Sequence, residues 1–140
     1  MARNIIFDID GTLADPKDRL HFLEKKDWNS FYDACLDDAP IHHVIYLLQE
    51  LKKNHHIIIL TGRPERIKDK TLQWLKANNI SFDEIYFRKD RDYRPDYEIK
   101  EEMLKTLNRS IWFAVDDRKQ VVDMFRRNNI LCLQCKDGDY

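Results

Sequence analysis

The stretch Ile5–Leu13, IIFDIDGTL, joins a run of apolar residues to two carboxylates and a glycine. A continuous apolar run of this length is typical of a strand that is buried on both faces of a parallel sheet. Asp8 and Asp10 stand at its end, one residue apart. Because side chains alternate along a strand, both carboxylates are expected on one side, while Ile9 turns into the core. Gly11 then lets the chain turn away.

Three later segments repeat the pattern of an apolar run followed by a polar turn, namely residues 55–63, 82–89 and 110–118. Stretches with helical periodicity separate them, and a short last strand is predicted at residues 129–135. Alternating strands and helices favour a doubly wound α/β fold, which is a parallel sheet with helices on both faces. We expect one domain over residues 1–140, because a chain of this length builds a single core.

Residues 14–40 break the alternation and are predicted to form a small helical cap, inserted directly after the first strand. Apolar side chains of the cap are expected to pack against one another rather than to contact a ligand. They are Leu20, Phe22, Leu23, Trp28, Phe31, Tyr32 and Leu36.

The 24 basic and 25 acidic residues nearly balance, so the overall charge favours neither a nucleic acid nor a membrane surface as a partner. No segment approaches the roughly 18 apolar residues of a membrane-spanning helix. The three cysteines are too few for a disulfide framework and fit a reducing compartment. We therefore expect a cytoplasmic protein.

Two pairs of carboxylates end predicted strands: Asp8 and Asp10 after the first, and Asp116 and Asp117 in the segment VDD of the fourth. In open parallel sheets, ligands bind at the carboxyl ends of the strands. Four carboxylates gathered there would repel one another unless a cation neutralised them. A hard divalent ion with oxygen ligands, Mg²⁺ first, is the expected cofactor.

The segment LTGR ends the second strand with the hydroxyl of Thr61, followed by Gly62 and Arg63. A hydroxyl and backbone N–H groups at a helix start suit an anion such as phosphate, although a simple turn explains the segment equally well. Lys100 is predicted in the first turn of a helix that Asp96 caps, where a lysine opposes the helix dipole. A solvated lysine is the alternative to a functional one.

In this order, DIDGT, TGR, Lys100 and VDD resemble the four motifs of the haloacid dehalogenase (HAD) superfamily of phosphotransferases. The resemblance implies that Asp8 attacks phosphorus and that Asp10 acts as general acid and then as general base. It implies that Thr61 and Lys100 hold the phosphoryl oxygens. Asp10, as a second acid, favours a phosphatase over a dehalogenase, because a dehalogenase has no alkoxide leaving group to protonate.

The same resemblance implies a metal site and a phosphate site. Mg²⁺ would be held by Asp8, Asp116, Asp117 and the backbone carbonyl of Asp10. The phosphate site would also include Gly11, Thr12 and Gly62.

A closer resemblance covers most of the chain from Ile5 to Tyr140. Residues 115–140, the segment RPDYEIKEEML at 94–104 and the placing of Arg19 are similar to the 3′-phosphatase domains of the phage polynucleotide kinase-phosphatase family. That family removes 3′-phosphates, and in some members 2′,3′-cyclic phosphates, from DNA or RNA ends. The resemblance implies that Arg19 and Arg63 contact the substrate phosphate or its surroundings, and that Asp96 orders a basic partner.

The chain has three glycines, so no kinase phosphate loop of the form G-x-x-x-x-G-K-[ST] can be written in it. The kinase is therefore absent from this chain, whether lost or cut away: a kinase or a ligase would act as a separate partner, or the chain would be a fragment of a larger kinase-phosphatase. The sequence leaves the oligomeric state open.

Residues 87–95, FRKDRDYRP, place basic side chains and Tyr93 just after a strand, where phosphate contacts and base stacking are available. A solvated loop, with Asp90 and Asp92 offsetting the positive charge, is an equal alternative. The C-x-x-C of Cys132 and Cys135 lacks a second pair to complete a zinc site, and no role is assigned to it.

The sequence thus predicts a Mg²⁺-dependent phosphomonoesterase that forms an aspartyl-phosphate and acts on a nucleic-acid 3′-phosphate end. A nucleotide or small-metabolite phosphatase resembling a 5′-nucleotidase is the alternative. A phosphate-binding scaffold with a dead site is disfavoured, because the full set of motif residues is present.

Overall fold

The structure, a computed structural model, describes residues 1–138. Their strands are β1 (Asn4–Phe7), β2 (Ala14–Asp15), β3 (Ala39–Pro40), β4 (His56–Pro64), β5 (Glu84–Arg88), β6 (Ile111–Arg118) and β7 (Cys132–Gly138). Their α-helices are α1 (His21–Glu24), α2 (Trp28–Asp33), α3 (His42–Lys52), α4 (Lys68–Ala77), α5 (Asp96–Leu107) and α6 (Lys119–Arg127). Short 3₁₀ helices cover Lys17–Arg19, Cys35–Asp37 and Glu65–Ile67.

The main sheet has five strands in the order β5-β4-β1-β6-β7, and each neighbouring pair is parallel. The first strand of the chain is therefore the central one. This position explains its apolar sequence, because Ile5, Ile6 and Phe7 are buried on both faces of the sheet.

Helices cover both faces of the sheet. On one face, Ile45 of α3 and Trp74 of α4 pack in the cluster that contains Phe7. On the other face, Leu104 of α5 and Phe125 of α6 pack in the cluster that contains Ile6. The predicted doubly wound α/β fold is therefore confirmed.

The last strand begins at Cys132 rather than at the predicted residue 129. Helix α6 ends at Arg127, and Asn129 adopts a left-handed φ of 60° that turns the chain. The N–H of Ile130 donates to the carbonyl of Phe125 at 3.0 Å and closes the helix end. Residues 129–131 therefore form the helix-to-strand turn, a backbone geometry that apolar periodicity does not reveal.

The predicted cap, residues 14–40, begins and ends on a small antiparallel sheet. Ala14 pairs with Pro40 and Asp15 with Ala39, and short helices fill the interval between β2 and β3. The predicted domain of residues 1–140 includes residues 139–140, which lie outside the described part of the chain. Within residues 1–138, no helix has both the length and the apolar character needed to cross a membrane.

Candidate active site

Three buried carboxylates, Asp8, Asp116 and Asp117, lie together at the carboxyl ends of β1 and β6. Asp8 follows β1 directly, and its backbone N–H donates to the carbonyl of Val115 at 3.1 Å. None of the three residues is more than 5% exposed. One carboxylate oxygen from each lies within 4.8 Å of the others. Because β1 and β6 are neighbouring strands of the sheet, the two predicted acidic motifs lie next to each other.

Lys100 of α5 reaches the same cluster. Its Nζ donates to Asp8 Oδ1 at 2.7 Å and to Asp116 Oδ2 at 2.9 Å. Burial by itself would lower the pKa of Lys100, but the carboxylates of Asp116 and Asp8 outweigh it and raise the pKa well above its ordinary value. Lys100 is fully buried, so the alternative of a solvated lysine is excluded.

Asp96 does not cap α5, contrary to the sequence prediction. The helix begins at Asp96 itself, and no side chain accepts a hydrogen bond from its start. The carboxylate instead lies among cations, 3.4 Å from Lys100 Nζ, 3.7 Å from Arg88 Nη2 and 3.8 Å from Arg118 Nη1. These three side chains are the ones that Asp96 can order.

The cluster around Asp8 is short of positive charge. Burial and the neighbouring Asp116 raise the pKa of Asp8 well above its ordinary value, and Lys100 offsets this only in part. Carboxylate oxygens are the ligands that a hard divalent cation such as Mg²⁺ prefers. The donor set and the excess of negative charge both fit an ion of this kind.

A tight turn after Asp10 brings a hydroxyl to Asp8. The carbonyl of Ile9 accepts three successive N–H groups of the turn at 2.8–3.1 Å. Gly11 has a φ of 86°, a conformation that residues with a Cβ rarely adopt. Thr12 is buried, and its Oγ1 donates to Asp8 Oδ2 at 3.2 Å. The turn therefore fixes the orientation of the Asp8 carboxylate.

The end of β4 brings Thr61, Gly62 and Arg63 to the same edge of the sheet. Thr61 is buried, and its Oγ1 accepts the backbone N–H of Arg63 at 3.1 Å. Gly62 packs so closely against Asp96 that a Cβ would collide with the carboxylate. Its carbonyl accepts Arg88 Nε at 2.7 Å. A larger residue at this position would therefore displace the Asp96 carboxylate.

Asp10 belongs to a separate ion-pair network. Arg63 donates through Nη2 to Asp10 Oδ1 at 2.7 Å and through Nε to Oδ2 at 3.1 Å. Arg19 donates to Asp10 Oδ1 at 2.5 Å and to the two oxygens of Asp38 at 2.8 and 2.6 Å. Burial would raise the pKa of Asp10, but Arg63 and Arg19 outweigh it and lower the pKa below its ordinary value. Asp10 is therefore held as a carboxylate.

Asp38 is a site residue that the sequence analysis missed. Its side chain is 4% exposed, and its Oδ2 also lies 3.5 Å from Arg63 Nη2. Asp38 lies just before β3, near the end of the cap, and Arg19 lies near its start. Because Arg19 pairs with both Asp38 and Asp10, the two ends of the cap are linked to Asp10. The only sequence signal is an acidic pair ahead of Pro40, and acidic residues are common in turns for unrelated reasons.

The predicted site residues thus fall into two neighbouring groups joined by shared turns. The first contains Asp8, Thr12, Asp96, Lys100, Asp116 and Asp117. The second contains Asp10, Arg19 and Arg63. Gly11, Thr61 and Gly62 lie on the turns between them.

A cleft of about 570 Å³ opens over this edge, and Asp8 and Asp10 belong to its lining. The cap forms one wall through Leu23 and the side chains of α2, and residues 88–96 form the other. The rings of Trp28, Phe31 and Tyr32 pack against one another, as expected for the cap, and they also line the cleft. Phe31 is buried at 3% exposure, whereas Trp28 is 49% exposed. Helical periodicity does not reveal which wall of a cleft a half-buried ring faces.

Nearly the whole chain matches one protein family. Residues 2–140 match the family described as the polynucleotide kinase PNKP phosphatase domain. Solved structures agree with this match. A chain in the structure of the Pnkp1/Rnl/Hen1 RNA repair complex is 30% identical, with a TM-score of 0.87 over 99% of this chain and 44% of that chain.

A second structure of a Pnkp1/Rnl/Hen1 complex is 29% identical, with a TM-score of 0.84, and the match covers 99% of this chain and 48% of that chain. The chain thus spans less than half the length of these two relatives.

The fold extends to more distant proteins. A haloacid dehalogenase-like hydrolase from Streptococcus pneumoniae is 18% identical, with a TM-score of 0.68 over 94% of this chain and 83% of that chain. The resemblance predicted from the motifs is confirmed by the family match. The chain belongs to the family of polynucleotide kinase PNKP phosphatase domains, and it is a phosphatase with the haloacid dehalogenase fold.

Proposed function

We propose that the protein is a Mg²⁺-dependent polynucleotide 3′-phosphatase of nucleic-acid end repair, acting through an aspartyl-phosphate on Asp8. One observation carries the proposal. Asp8 lies in the lining of the cleft, is hydrogen-bonded to the Lys100 ammonium, and lies within 4.8 Å of Asp116 and Asp117.

In the first step, an Asp8 oxygen forms a bond to phosphorus while the bond between phosphorus and the leaving sugar oxygen breaks. Asp10, which the free protein holds as a carboxylate, takes up the proton of a monoprotonated phosphate ester as the substrate binds and passes it to the departing oxygen. In the second step, water attacks phosphorus, the bond to Asp8 breaks, and Asp10 takes the proton from the water. The covalent intermediate divides one difficult displacement into two easier ones.

Lys100 and Thr61 are proposed to hold the transferring phosphoryl group. The fully buried Lys100 ammonium supplies positive charge where negative charge spreads over the phosphoryl oxygens. Gly11 and Gly62 allow the backbone to approach the phosphate closely, and Thr12 orients Asp8.

The metal is proposed to be held by Asp8, Asp116, Asp117 and the backbone carbonyl of Asp10. When bound, Mg²⁺ would neutralise charge on the phosphoryl oxygens during attack by an anionic nucleophile. The three buried carboxylates fit this ion because they offer oxygen ligands and because the Lys100 ammonium offsets their negative charge only in part.

Arg19, Arg63 and Asp96 are proposed to act around the phosphate rather than on phosphorus itself. Both arginines contact Asp10, and Asp96 lies close to Lys100. We propose that the arginines orient the proton-transferring carboxylate and face the substrate, and that Asp96 keeps Lys100 in position.

A polynucleotide end is the proposed substrate for two reasons. The family is that of polynucleotide kinase PNKP phosphatase domains. The cleft also continues past the carboxylates to the basic segment at residues 88–94, which suits phosphodiester groups of a longer chain. The neighbouring Pnkp1/Rnl/Hen1 complexes, one of them described as an RNA repair complex, support RNA ends and a separate ligase partner.

A nucleotide or small-metabolite phosphatase is the second candidate. The cleft volume of about 570 Å³ favours it, because sites for small molecules have volumes of this order. The same residues would carry the same chemistry.

The deciding experiment supplies Mg²⁺ and matched RNA and DNA oligonucleotides with a 3′- or a 5′-phosphate, alongside mononucleotides. We expect phosphate release from the 3′-phosphorylated oligonucleotides at a kcat/KM well above that for mononucleotides. Activity confined to mononucleotides would reject the polynucleotide proposal in favour of the second candidate. No hydrolysis of any phosphate ester would favour a phosphate-binding scaffold.

A further inference from the structure

The cap wall of the cleft carries a flat aromatic surface. The rings of Trp28 and Tyr32, one helical turn apart on α2, stack with centroids 5.9 Å apart and planes inclined by 29°. Tyr32 is the inner of the two. Its hydroxyl donates to the Gly62 carbonyl at 3.4 Å, and burial raises its pKa to about 12. Trp28 lies farther out, with 49% of its surface exposed.

The exposure of Trp28 is not a consequence of a loose helix. Asp27 caps α2 by accepting the N–H of Ser30 at 3.1 Å, which fixes the start of the helix. Arg66 donates to the Asn29 carbonyl at 3.3 Å and to Asn29 Oδ1 at 3.1 Å, so the next residue is held as well. An exposed indole whose backbone is fixed on both sides is preorganised for contact with a flat ligand.

The need to pack the interior of the cap does not explain the aromatic ring of Trp28 either. Phe31, on the same helix, is 3% exposed and lies under the Arg19 guanidinium at 4.3 Å, so the cap has its own buried aromatic anchor. Trp28 contacts Phe31 edge-on and Tyr32 face-on. Part of the indole surface is thus left to solvent beside the cleft, where it costs free energy until something covers it.

The opposite wall supplies cations. Arg88 is occupied, since its guanidinium donates to the carbonyls of Gly62, Asp92 and Arg94. Arg94 is also paired, with Asp92 and Glu102. Lys89 and Arg91 line the cleft, are exposed, and have no carboxylate partner within residues 1–138. The cleft therefore combines an aromatic wall with two available cations, the pairing that single-stranded nucleic acids use.

We propose that Trp28 stacks on the nucleobase of the nucleotide whose phosphate reaches Asp8, with Lys89 and Arg91 facing the chain that leads away from it. This assignment rests on the proposed function. Tyr32 marks the inner end of the wall through its bond to Gly62, and Trp28 lies four residues earlier, about 6 Å along the helix axis. The indole lines the same cleft as Asp8 and is the solvent-exposed ring of this wall.

The test combines a variant with a substrate that lacks the base. Wild type and Trp28→Ala are assayed on a 3′-phosphorylated oligonucleotide and on the same oligonucleotide with an abasic terminal nucleotide. Wild type should lose roughly 5- to 150-fold in kcat/KM when the base is removed, as expected for one stacked base. Trp28→Ala should lose a similar factor on the normal oligonucleotide and show no further loss on the abasic one. Trp28→Phe should recover part of the loss.

Trp112→Ala is the matched control. Trp112 is 43% exposed at the start of β6, at the end of the sheet away from the carboxylates. Its variant should keep wild-type kcat/KM on both substrates.

An equal loss for Trp28→Ala on normal and abasic oligonucleotides would mean that Trp28 only supports the fold, and would overturn the stacking assignment while leaving the phosphatase proposal standing. No loss at all on the normal oligonucleotide would overturn it as well. If wild type released phosphate from no oligonucleotide, the proposed function would fail, and the assignment with it.

Discussion

Asp8 and Asp10 stand one residue apart in the same turn, yet their surroundings are opposite. The Asp8 side gathers the buried carboxylates of Asp8, Asp116 and Asp117 around the Lys100 ammonium, and the pKa of Asp8 is raised by burial and by Asp116. The Asp10 side pairs two carboxylates with two guanidiniums, and the pKa of Asp10 is lowered despite its burial.

The difference shows how one turn can support two chemical roles. The Asp8 side carries negative charge that Lys100 does not fully neutralise, so an added cation would stabilise it. On the Asp10 side, the charges of two carboxylates and two guanidiniums balance. These ion pairs also hold the cap to the sheet, since Arg19 and Asp38 belong to the cap and Arg63 to β4. We therefore expect the first side to govern catalysis and metal binding, and the second to govern stability as well as proton transfer.

The largest effect is expected for Asp8→Asn. An amide is not a nucleophile for phosphorus, so kcat should fall by at least about 10⁴-fold. In metal-free buffer, the melting temperature of the variant should be no lower than that of wild type, because the substitution removes one negative charge from a cluster of mutually repelling carboxylates. Assays of phosphate release measure kcat, and thermal unfolding measures the melting temperature. Retained activity would show that Asp8 is not the nucleophile.

Unlike Asp8→Asn, the variant Asp10→Asn should be less stable than wild type. It leaves Arg19 and Arg63 buried against Asp38 alone, and breaking a buried ion pair from one side costs about 3 kcal/mol or more, a melting shift on the order of 10 °C. The control is Asp123→Asn, which removes an exposed pair with Lys119 and should cost less than about 1 kcal/mol. Equal stability of Asp10→Asn and wild type would contradict the described balance of charges.

Addition of Mg²⁺ should stabilise the protein through the Asp8 side only. At a concentration of about 100 times the dissociation constant, binding adds about 2.7 kcal/mol to the free energy of unfolding. Asp117→Asn should lose most of this gain. Asp10→Asn should keep it, because only the backbone carbonyl of Asp10 is a proposed ligand. A stabilisation that survives in Asp117→Asn would place the ion elsewhere.

The smallest effect is a change of stability with pH in metal-free buffer. The folded pKa of Asp8 is raised, so its protonation stabilises the protein at low pH, and that contribution is lost as the pH rises through the folded pKa. The folded pKa of Asp10 is lowered, so its contribution is present above the ordinary value of 3.8 and is lost as the pH falls below it.

The Asp8 contribution can be isolated with the Asn variant. The melting advantage of Asp8→Asn over wild type should be a few degrees at pH 7 and should shrink as the pH falls towards 4, because wild-type Asp8 becomes neutral. A difference that stays constant over this range would contradict the raised pKa of Asp8.

Several features could be predicted because their signals are local. The apolar runs before Asp8 and Asp116 identify strands of a parallel sheet, and the rule that ligands bind at carboxyl strand ends brings these acids together. The need for a cation follows from their charge. The start of β7 could not be predicted, because it depends on the left-handed turn at Asn129.

Local sequence patterns were enough to predict the fold class, the family, and the acids and the lysine that we propose for the site, because strand patterns and short motifs consist of neighbouring residues. The folded chain was needed to see that Arg19 and Arg63 face Asp10, that Asp38 completes their network, and that Trp28 lines the cleft. Arg63 and Asp10 are 53 residues apart, and Lys100 and Asp8 are 92 residues apart. The pKa of each carboxylate depends on charges that only folding brings within a few ångströms, so two identical residues in one turn acquire different chemistry.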